Sequence, residues 1–210
     1  KFGPIVLLPE IEKRHLFTLF FGAFFGIASM AFVNVFNYSI FSALQIPQEQ
    51  FGSVAGTLTA VQEVVVVSVI GLFGALSDKV GRRLVYSMGF FLLGIGYFIY
   101  PLADNTTELY FFRIFVALGC AANTVMLPTV ANDYVHGSTR GRLIAFTSIL
   151  NGLGLVLIIS TFRNFATFYE QLEAPEILIN LGYDTANWAQ YTFWSASAMV
   201  FIVSIVLYTN

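Results

Sequence analysis

The stretch GALSDKVGRR at residues 74–83 is a short polar and basic interruption between two long apolar blocks. The flanking blocks run roughly over residues 52–75 and 84–102, and each is close to the roughly 20 apolar residues that a helix needs to cross a bilayer. Gly81 can adopt the backbone conformations of a tight turn, and Asp78 can accept hydrogen bonds from an arginine or from a helix N-terminus. The stretch therefore predicts a tight, charged connection between two transmembrane helices.

The rest of the chain repeats this pattern of apolar blocks. Hydrophobic residues make up 57% of the 210 residues and charged residues only 10%, against about 25% charged residues in ordinary soluble domains. The apolar runs are continuous, whereas the strands of a membrane barrel would alternate over about ten residues. The sequence therefore predicts an all-α membrane protein with six transmembrane helices, at about residues 16–40, 52–75, 84–102, 109–130, 143–162 and 191–208.

Basic residues are distributed unevenly over the predicted loops. The loops at residues 41–51 and 103–108 contain neither Lys nor Arg. Most basic residues instead precede the first block or lie in the second-to-third and fourth-to-fifth connections, namely Lys1, Lys13, Arg14, Lys79, Arg82, Arg83, Arg140 and Arg142. Because basic loops stay in the cytoplasm, this distribution predicts a cytoplasmic N-terminus and, after six crossings, a cytoplasmic C-terminus.

The 74–83 stretch resembles the signature loop of the major facilitator superfamily, commonly written G-x-L-A-D-[RK]-x-G-[RK]-[RK], with Ser77 in place of the usual Ala. The Arg-Gly-Arg run at residues 140–142, seven residues after an acidic residue, is similar to the connection between helices four and five in many members. The resemblance implies a major-facilitator-type bundle with a cytoplasmic charge cluster that latches one conformation. Gly74 is expected to let another helix approach closely. The candidate latch residues are Gly74, Asp78, Gly81, Arg82, Arg83, Asp133 and Arg140.

Two further segments bear on the resemblance. Arg113 and the GCAA run at residues 119–122 are similar to the family's helix-four motif, although Ala117 stands where that motif has its first Gly. In the family this Arg is associated with proton coupling or with packing. The helix-five antiporter motif needs a Gly-Pro pair, and residues 151–154 read NGLG without Pro. This departure argues against drug/proton antiport.

Charged and amide side chains inside the predicted spans are the candidates for binding. Glu63 and Arg113 stand out, since an ionisable group within a bilayer costs roughly 3 kcal/mol and is usually functional. Glu63 shares a helical stripe with small residues at positions 52, 56, 59 and 74, so we expect this face to point into the bundle, away from lipid. For the asparagines, hydrogen bonding between helices is the alternative role. The substrate or proton candidates are Asn34, Asn37, Glu63, Arg113, Asn123 and Asn151.

The one long predicted connection, residues 163–190, is expected outside the membrane. Phe165, Phe168, Tyr169 and Leu172 recur there at helical spacing, which favours an interfacial amphipathic helix, with an aromatic-rich loop as the alternative. We interpret residues 1–210 as the N-terminal six-helix bundle of a transporter whose C-terminal bundle is absent from this chain. The expected partners are the lipid bilayer and a second six-helix half, covalent or separate.

These features predict a secondary active transporter of a small solute that works by alternating access, with proton coupling as an option. The alternative is a transporter-derived six-helix scaffold or assembly subunit of a larger membrane complex. The sequence shows no nucleophile elbow, phosphate-cradling loop, metal-ligand spacing or nucleic-acid module, so we predict no enzyme activity, cofactor, metal or nucleic-acid partner. The pair of one acidic and one basic membrane residue does not favour a strongly anionic or cationic solute, so a sugar-like or zwitterionic solute is expected. The expected location is a bacterial inner (plasma) membrane.

Overall fold

The computed structural model describes residues 5–9, 11–171 and 188–209. Most of these residues belong to six helices that are long and apolar enough to cross a membrane. The helices are α1 (Lys13–Ala43), α2 (Phe51–Val80), α3 (Arg82–Ile99), α4 (Thr106–Tyr134), α5 (Arg140–Gln171) and α6 (Trp188–Thr209).

Most of the helices extend beyond their apolar blocks, and in α4 a polar cap satisfies the added first turn. At the start of α4, the Asn105 side chain accepts a hydrogen bond from the Glu108 backbone N–H at 3.0 Å, and the Glu108 carboxylate accepts one from the Asp104 N–H at 2.9 Å. Such reciprocal caps replace the hydrogen bonds that the first helical turn lacks. The third block is the exception: α3 ends at Ile99, and Tyr100–Leu102 form a 3₁₀ turn around Pro101, which has no N–H for an α-helical bond.

The 74–83 stretch is mostly helical, so the predicted connection between the two helices was too long. α2 continues through Val80, and α3 begins at Arg82. Gly81 alone connects them, with a φ of 98°. Because side chains with a Cβ rarely adopt this backbone region, a one-residue connection here requires glycine.

Helix α5 is longer than its apolar block, which ends at residue 162. It continues to Gln171, so residues 163–171 prolong the transmembrane helix rather than starting a separate interfacial one. The predicted separate helix is therefore wrong up to residue 171. Leu172 and the remainder of the predicted outer segment, up to residue 187, lie outside the described residues.

The helices pack in two layers. In the first layer α5, α1, α4 and α2 lie side by side in this order, since α1 packs against α5 and α4, and α4 packs against α2. α3 packs on α4 and α6, and α6 also packs on α1, so α3 and α6 form the second layer. Between the layers, the Phe32 ring lies 5.1 Å from the Tyr97 ring and 5.2 Å from the Phe193 ring, measured between centroids. The two layers therefore meet at an aromatic core.

The side of the first layer that α3 and α6 do not cover is called here the open face. Its exposed members include Asn34 and Tyr38 of α1 and Thr124 and Pro128 of α4. The Thr124 hydroxyl donates to the Met30 sulfur across the α1–α4 contact at 3.6 Å. The fold thus presents polar side chains in the middle of a largely apolar layer.

Two glycines set the closest helix contacts. A Cβ on Gly154 of α5 would overlap the backbone carbonyl of Phe24 in α1. A Cβ on Gly119 of α4 would lie 2.7 Å from the Gly89 carbonyl oxygen of α3 and 2.6 Å from the Leu93 side chain. Small residues let membrane helices approach at this distance, where dispersion contacts between backbones replace the hydrophobic effect.

An N-terminal strap, residues 5–9, packs on the α4–α5 connection. Leu7 forms an antiparallel bridge with Val135, the Leu8 N–H donates to the Tyr134 carbonyl at 3.1 Å, and Ile5 is buried. The strap therefore holds the C-terminus of α4 in place at the end of the bundle that carries most of the basic residues, called here the basic end.

Candidate functional site

Arg82 is the centre of the charge cluster at the basic end. Its guanidinium pairs closely with the Asp133 carboxylate of α4, lies 3.7 Å from the Asp78 carboxylate of α2 and donates to the Thr129 carbonyl at 3.4 Å. A single side chain at the first position of α3 thus ties together the ends of three helices. All three charged groups are partly exposed, so each pair contributes only about 0–1 kcal/mol and is sensitive to changes in neighbouring helices.

Arg83 forms a second tie at the same end. Its Nε donates to the Leu207 carbonyl at 3.2 Å and its Nη2 donates to the Tyr208 carbonyl, both in the last turn of α6. Arg83 therefore connects the start of α3 to the part of α6 at the basic end. Sequence reasoning missed these carbonyl partners, because nothing in the sequence places the end of α6 beside the start of α3.

Two of the predicted latch residues stand apart from this cluster. Arg140 is exposed, and within residues 5–9, 11–171 and 188–209 no carboxylate pairs with it. Gly74 is not closely approached either, because a Cβ built there meets no atom within 4 Å. The expected close approach at Gly74 is therefore absent among the residues that the structure describes, which place no helix on that side of α2.

A buried polar cluster lies between α1, α4 and the 3₁₀ turn after α3, toward the end opposite the basic end. Arg113 is fully buried, and its Nη2 donates to the Asn34 amide oxygen. The Tyr100 hydroxyl donates to the Asn37 amide oxygen at 2.9 Å and is in electrostatic contact with Arg113. Three predicted candidates, Asn34, Asn37 and Arg113, are thus brought together. Tyr100 was missed, because an aromatic residue at the end of an apolar block is also typical of a membrane-interface anchor.

Several buried polar atoms, from the polar cluster around Arg113 to the middle of the bundle, have no hydrogen-bond partner within the described part of the chain. They include Nε and Nη1 of Arg113, both amide atoms of Asn123, the Gln62 amide oxygen and the Tyr97 hydroxyl. Leaving a buried donor or acceptor unpaired costs about 1–3 kcal/mol, and more for a charged group. Such groups are usually completed by water or by a ligand, so this region is the strongest candidate for a binding site.

Asn151 lies apart from that cluster, in the contact between α5 and α1. Its side-chain oxygen is 3.4 Å from the Ile27 backbone nitrogen, and it would touch a Cβ on Gly26 at the same distance. The contact continues three residues later at Gly154. This geometry supports the alternative role for Asn151, a hydrogen bond that holds two helices together.

Glu63 does not point into the six-helix bundle, contrary to the prediction. The buried stripe of α2 consists of Val54, Leu58, Gln62, Phe73 and Ser77, and Glu63 is exposed beside it. The small residues that share its stripe meet nothing, as Gly52 and Gly56 have open space at the Cβ position. The prediction failed because a stripe of small residues indicates close packing only where another helix is present, and the described residues provide no helix there.

Comparison with known proteins agrees with this architecture. A family model described as the Major Facilitator Superfamily matches residues 19–210. The inward-open structure of the xylose transporter XylE from E. coli superposes with a TM-score of 0.61 at 19% identity, covering 94% of this chain and 46% of that chain. That similarity concerns the fold.

Curated relatives share sequence with parts of the chain. It is 28% identical over 133 residues to the riboflavin transporter RibZ of Clostridioides difficile, covering 63% of the chain and 28% of that protein. It is 28% identical over 125 residues to the magnetosome protein MamH of Paramagnetospirillum magneticum, covering 56% and 29%. It is 29% identical over 129 residues to the probable inorganic phosphate transporter 1-12 of Oryza sativa, covering 58% and 24%. The matched segments thus span less than a third of each relative.

The motif at residues 74–83, the two-layer arrangement of the six helices and the match over residues 19–210 agree with one another. The resemblance inferred from the sequence is confirmed. The chain is an integral membrane protein whose six apolar helices form one helical bundle, and it belongs to the major facilitator superfamily.

Proposed function

We propose that this chain is the N-terminal half of a secondary transporter that moves a small solute by alternating access. The observation that carries the proposal is the open face, where exposed Asn34 and Thr124 lie on the same side of α1 and α4 as the buried polar cluster around Arg113. In a two-bundle transporter the solute binds between the halves near the middle of the membrane. The open face would be this half's wall of the cavity.

The second six-helix half would cover the least buried helices of the first layer. α2 and α5 expose large apolar side chains, with Val67 at 73%, Leu72 at 68% and Val156 at 63% exposure. Their exposed stripes flank the open face, so a second bundle resting on α2 and α5 would enclose a cavity between them. Glu63, Gly52, Gly56 and Gly74 would then face that second bundle. The basic end would face the cytoplasm of a bacterial cell, in the inner membrane.

The latch residues would bias the two conformations. Arg82, Asp78 and Asp133 join the ends of α2, α3 and α4, and these are the ends that must move relative to the second half when the cytoplasmic side opens. Charge pairs that form fully in only one conformation shift the equilibrium toward it. The named relatives that are transporters carry riboflavin or inorganic phosphate, so these solutes and D-xylose are the first to test.

Glu63→Gln tests whether this half couples solute to protons. The protein, expressed from its complete reading frame and reconstituted in liposomes, is given a proton gradient, and the accumulation of riboflavin, inorganic phosphate and D-xylose is measured. If Glu63 carries the coupled proton, the Gln variant should lose accumulation by at least about tenfold and keep counterflow exchange, because the amide cannot take up a proton.

The matched control is Glu49→Gln, the same substitution in the 3₁₀ turn that precedes α2. It should leave accumulation unchanged. Full proton-driven accumulation by Glu63→Gln would remove this residue from the coupling mechanism. Absence of uptake and counterflow for every solute would instead favour the alternative, a six-helix scaffold or assembly subunit.

A further inference from the structure

Arg113 is a buried cation that forms no ion pair with the residues that the structure describes. It is fully buried, and no carboxylate within residues 5–9, 11–171 and 188–209 forms an ion pair with it. Its Nη2 donates to a neutral amide, Asn34, while Nε and Nη1 have no partner among those residues. A buried charge is normally paired and fully hydrogen-bonded, because desolvation otherwise disfavours it strongly.

An oxyanion could bind Arg113 through Nη2 together with one of the two unused nitrogens, Nε or Nη1. A guanidinium presents its N–H groups as a planar fork that matches two oxygens of a carboxylate or phosphate. Nη2, which now binds Asn34, has Nε on one side and Nη1 on the other. The Tyr97 hydroxyl, also buried without a partner, lies within the electrostatic reach of Arg113 and provides a further donor. Arg113 and Tyr97 therefore both have unused donors that a ligand could bind.

Asn34 separates this site from the open face. Its side chain is exposed on α1, whereas the guanidinium that it binds is fully buried. Arg113 also shares its α4 stripe with Thr124, which is exposed at the open face. Rotation of one amide side chain would thus give a solute in the cavity access to the fork, and the solute's oxygens would replace the Asn34 oxygen.

We propose that Arg113 recognises an oxyanion group, a carboxylate or a phosphate, on the transported solute, and that Asn34 holds the site when it is empty. The inference rests on the proposed function and narrows its substrate to anions. A neutral sugar would leave the charge of Arg113 uncompensated, so the proposal excludes neutral sugars as the transported solute. An acidic side chain from the second half, paired with Arg113, is the competing outcome.

Thermal stabilisation of the purified protein, expressed from its complete reading frame, tests the proposal. The probes are inorganic phosphate, succinate and glucuronate, with D-xylose as the neutral control. At least one anion should raise Tm in a saturable manner, because a ligand that binds only the folded state stabilises it. Arg113→Gln should weaken that binding by at least about thirtyfold, the usual consequence of truncating a buried charged partner.

Asn34→Asp keeps the test informative if Arg113→Gln does not fold. The new carboxylate supplies the missing counter-charge, so it should raise Tm without ligand and abolish the anion effect. Arg163→Gln, which removes an exposed cation from α5, is the matched control and should leave anion binding unchanged. No stabilisation by any anion, or an equal effect in wild type and Asn34→Asp, would overturn the proposal.

The Tm measured without ligand shows whether an acidic side chain of the second half already pairs with Arg113. If the second half already neutralises Arg113, Asn34→Asp adds a surplus charge and should not raise Tm, and this result also overturns the proposal. Failure of the inference can be distinguished from failure of the proposed function. Anion binding without uptake of any solute would sink the transport proposal only, whereas uptake of a neutral solute with no anion effect would sink the inference only.

Discussion

Gly154→Ala is expected to prevent correct assembly of the bundle. The added Cβ would overlap the Phe24 carbonyl, a backbone atom in the middle of α1 that cannot rotate away as a side chain can. Overpacking typically costs 1–3 kcal/mol, and a clash with backbone belongs at or beyond the upper limit, so we expect a loss of about 3 kcal/mol or more. The measurement is the yield of monodisperse protein in detergent, together with Tm.

Gly152→Ala is the control on the same helix. Gly152 is exposed, and a Cβ there meets no atom within 4 Å. Since Ala is a better helix former than Gly, this substitution should leave Tm unchanged or raise it slightly. Normal yield and Tm for Gly154→Ala would mean that α1 and α5 are farther apart than the structure places them.

Asp133→Asn is expected to slow transport while leaving the bundle folded. The Asp133 carboxylate is the closer of the two that pair with Arg82, and it joins α3 to the end of α4. Both groups are partly exposed, so the loss should be about 1 kcal/mol, enough to change the ratio of the two conformations about fivefold. Initial uptake rates should fall by a similar factor.

Asp78→Asn should also lower uptake. Its effect on Tm should be smaller, because the Asp78 carboxylate lies 3.7 Å from the Arg82 guanidinium.

Glu12→Gln is the matched control, because Glu12 is another exposed carboxylate at the basic end and pairs with Arg14 at 2.8 Å. It should leave both uptake and Tm unchanged. If Asp133→Asn transports like wild type, Arg82 and Asp133 only stabilise the loop, and the latch must involve other groups.

The number and type of helices could be predicted because the bilayer imposes a length. Backbone groups in hydrocarbon must be satisfied within the helix, so each crossing needs a continuous apolar block. The 74–83 stretch indicated the family, because its order of Gly, Asp and Arg residues is specific to the signature loop. The helix ends were less predictable, because a cap such as Asn105 depends on polar contacts rather than hydropathy, and because α5 continues past its apolar block to Gln171.

The candidate site was only partly predictable from sequence. A charged residue in an apolar block identifies Arg113, and the structure gives it Asn34 as a partner. The sequence could not show that Glu63 is exposed, because burial on α2 depends on which helices surround it. Nor could it place Tyr100 against Asn37, which are 63 residues apart and meet only through the packing of α1 against the end of α3.

Sided cysteine labelling tests the central claim, that the open face lines a cavity that opens to each side in turn. Single cysteines are introduced into a Cys120→Ala background of the protein expressed from its complete reading frame. Ser138→Cys is the reference for the cytoplasmic side, and Asp104→Cys is the reference for the outer side. Asp104 is chosen rather than the adjacent Asn105, because the Asn105 side chain caps α4. Thr124→Cys reports on the open face, and Ile202→Cys reports on the exposed outer side of α6.

With the basic end in the cytoplasm, we predict that a membrane-impermeant thiol reagent labels Ser138→Cys only from inside and Asp104→Cys only from outside. Thr124→Cys should be labelled from either side, and Ile202→Cys from neither, because it faces lipid. Adding Asp133→Asn should change the ratio of inside to outside labelling at Thr124→Cys about fivefold. Labelling of Thr124→Cys from one side only, or from neither, would contradict the claim that the open face lines a cavity that opens to each side in turn.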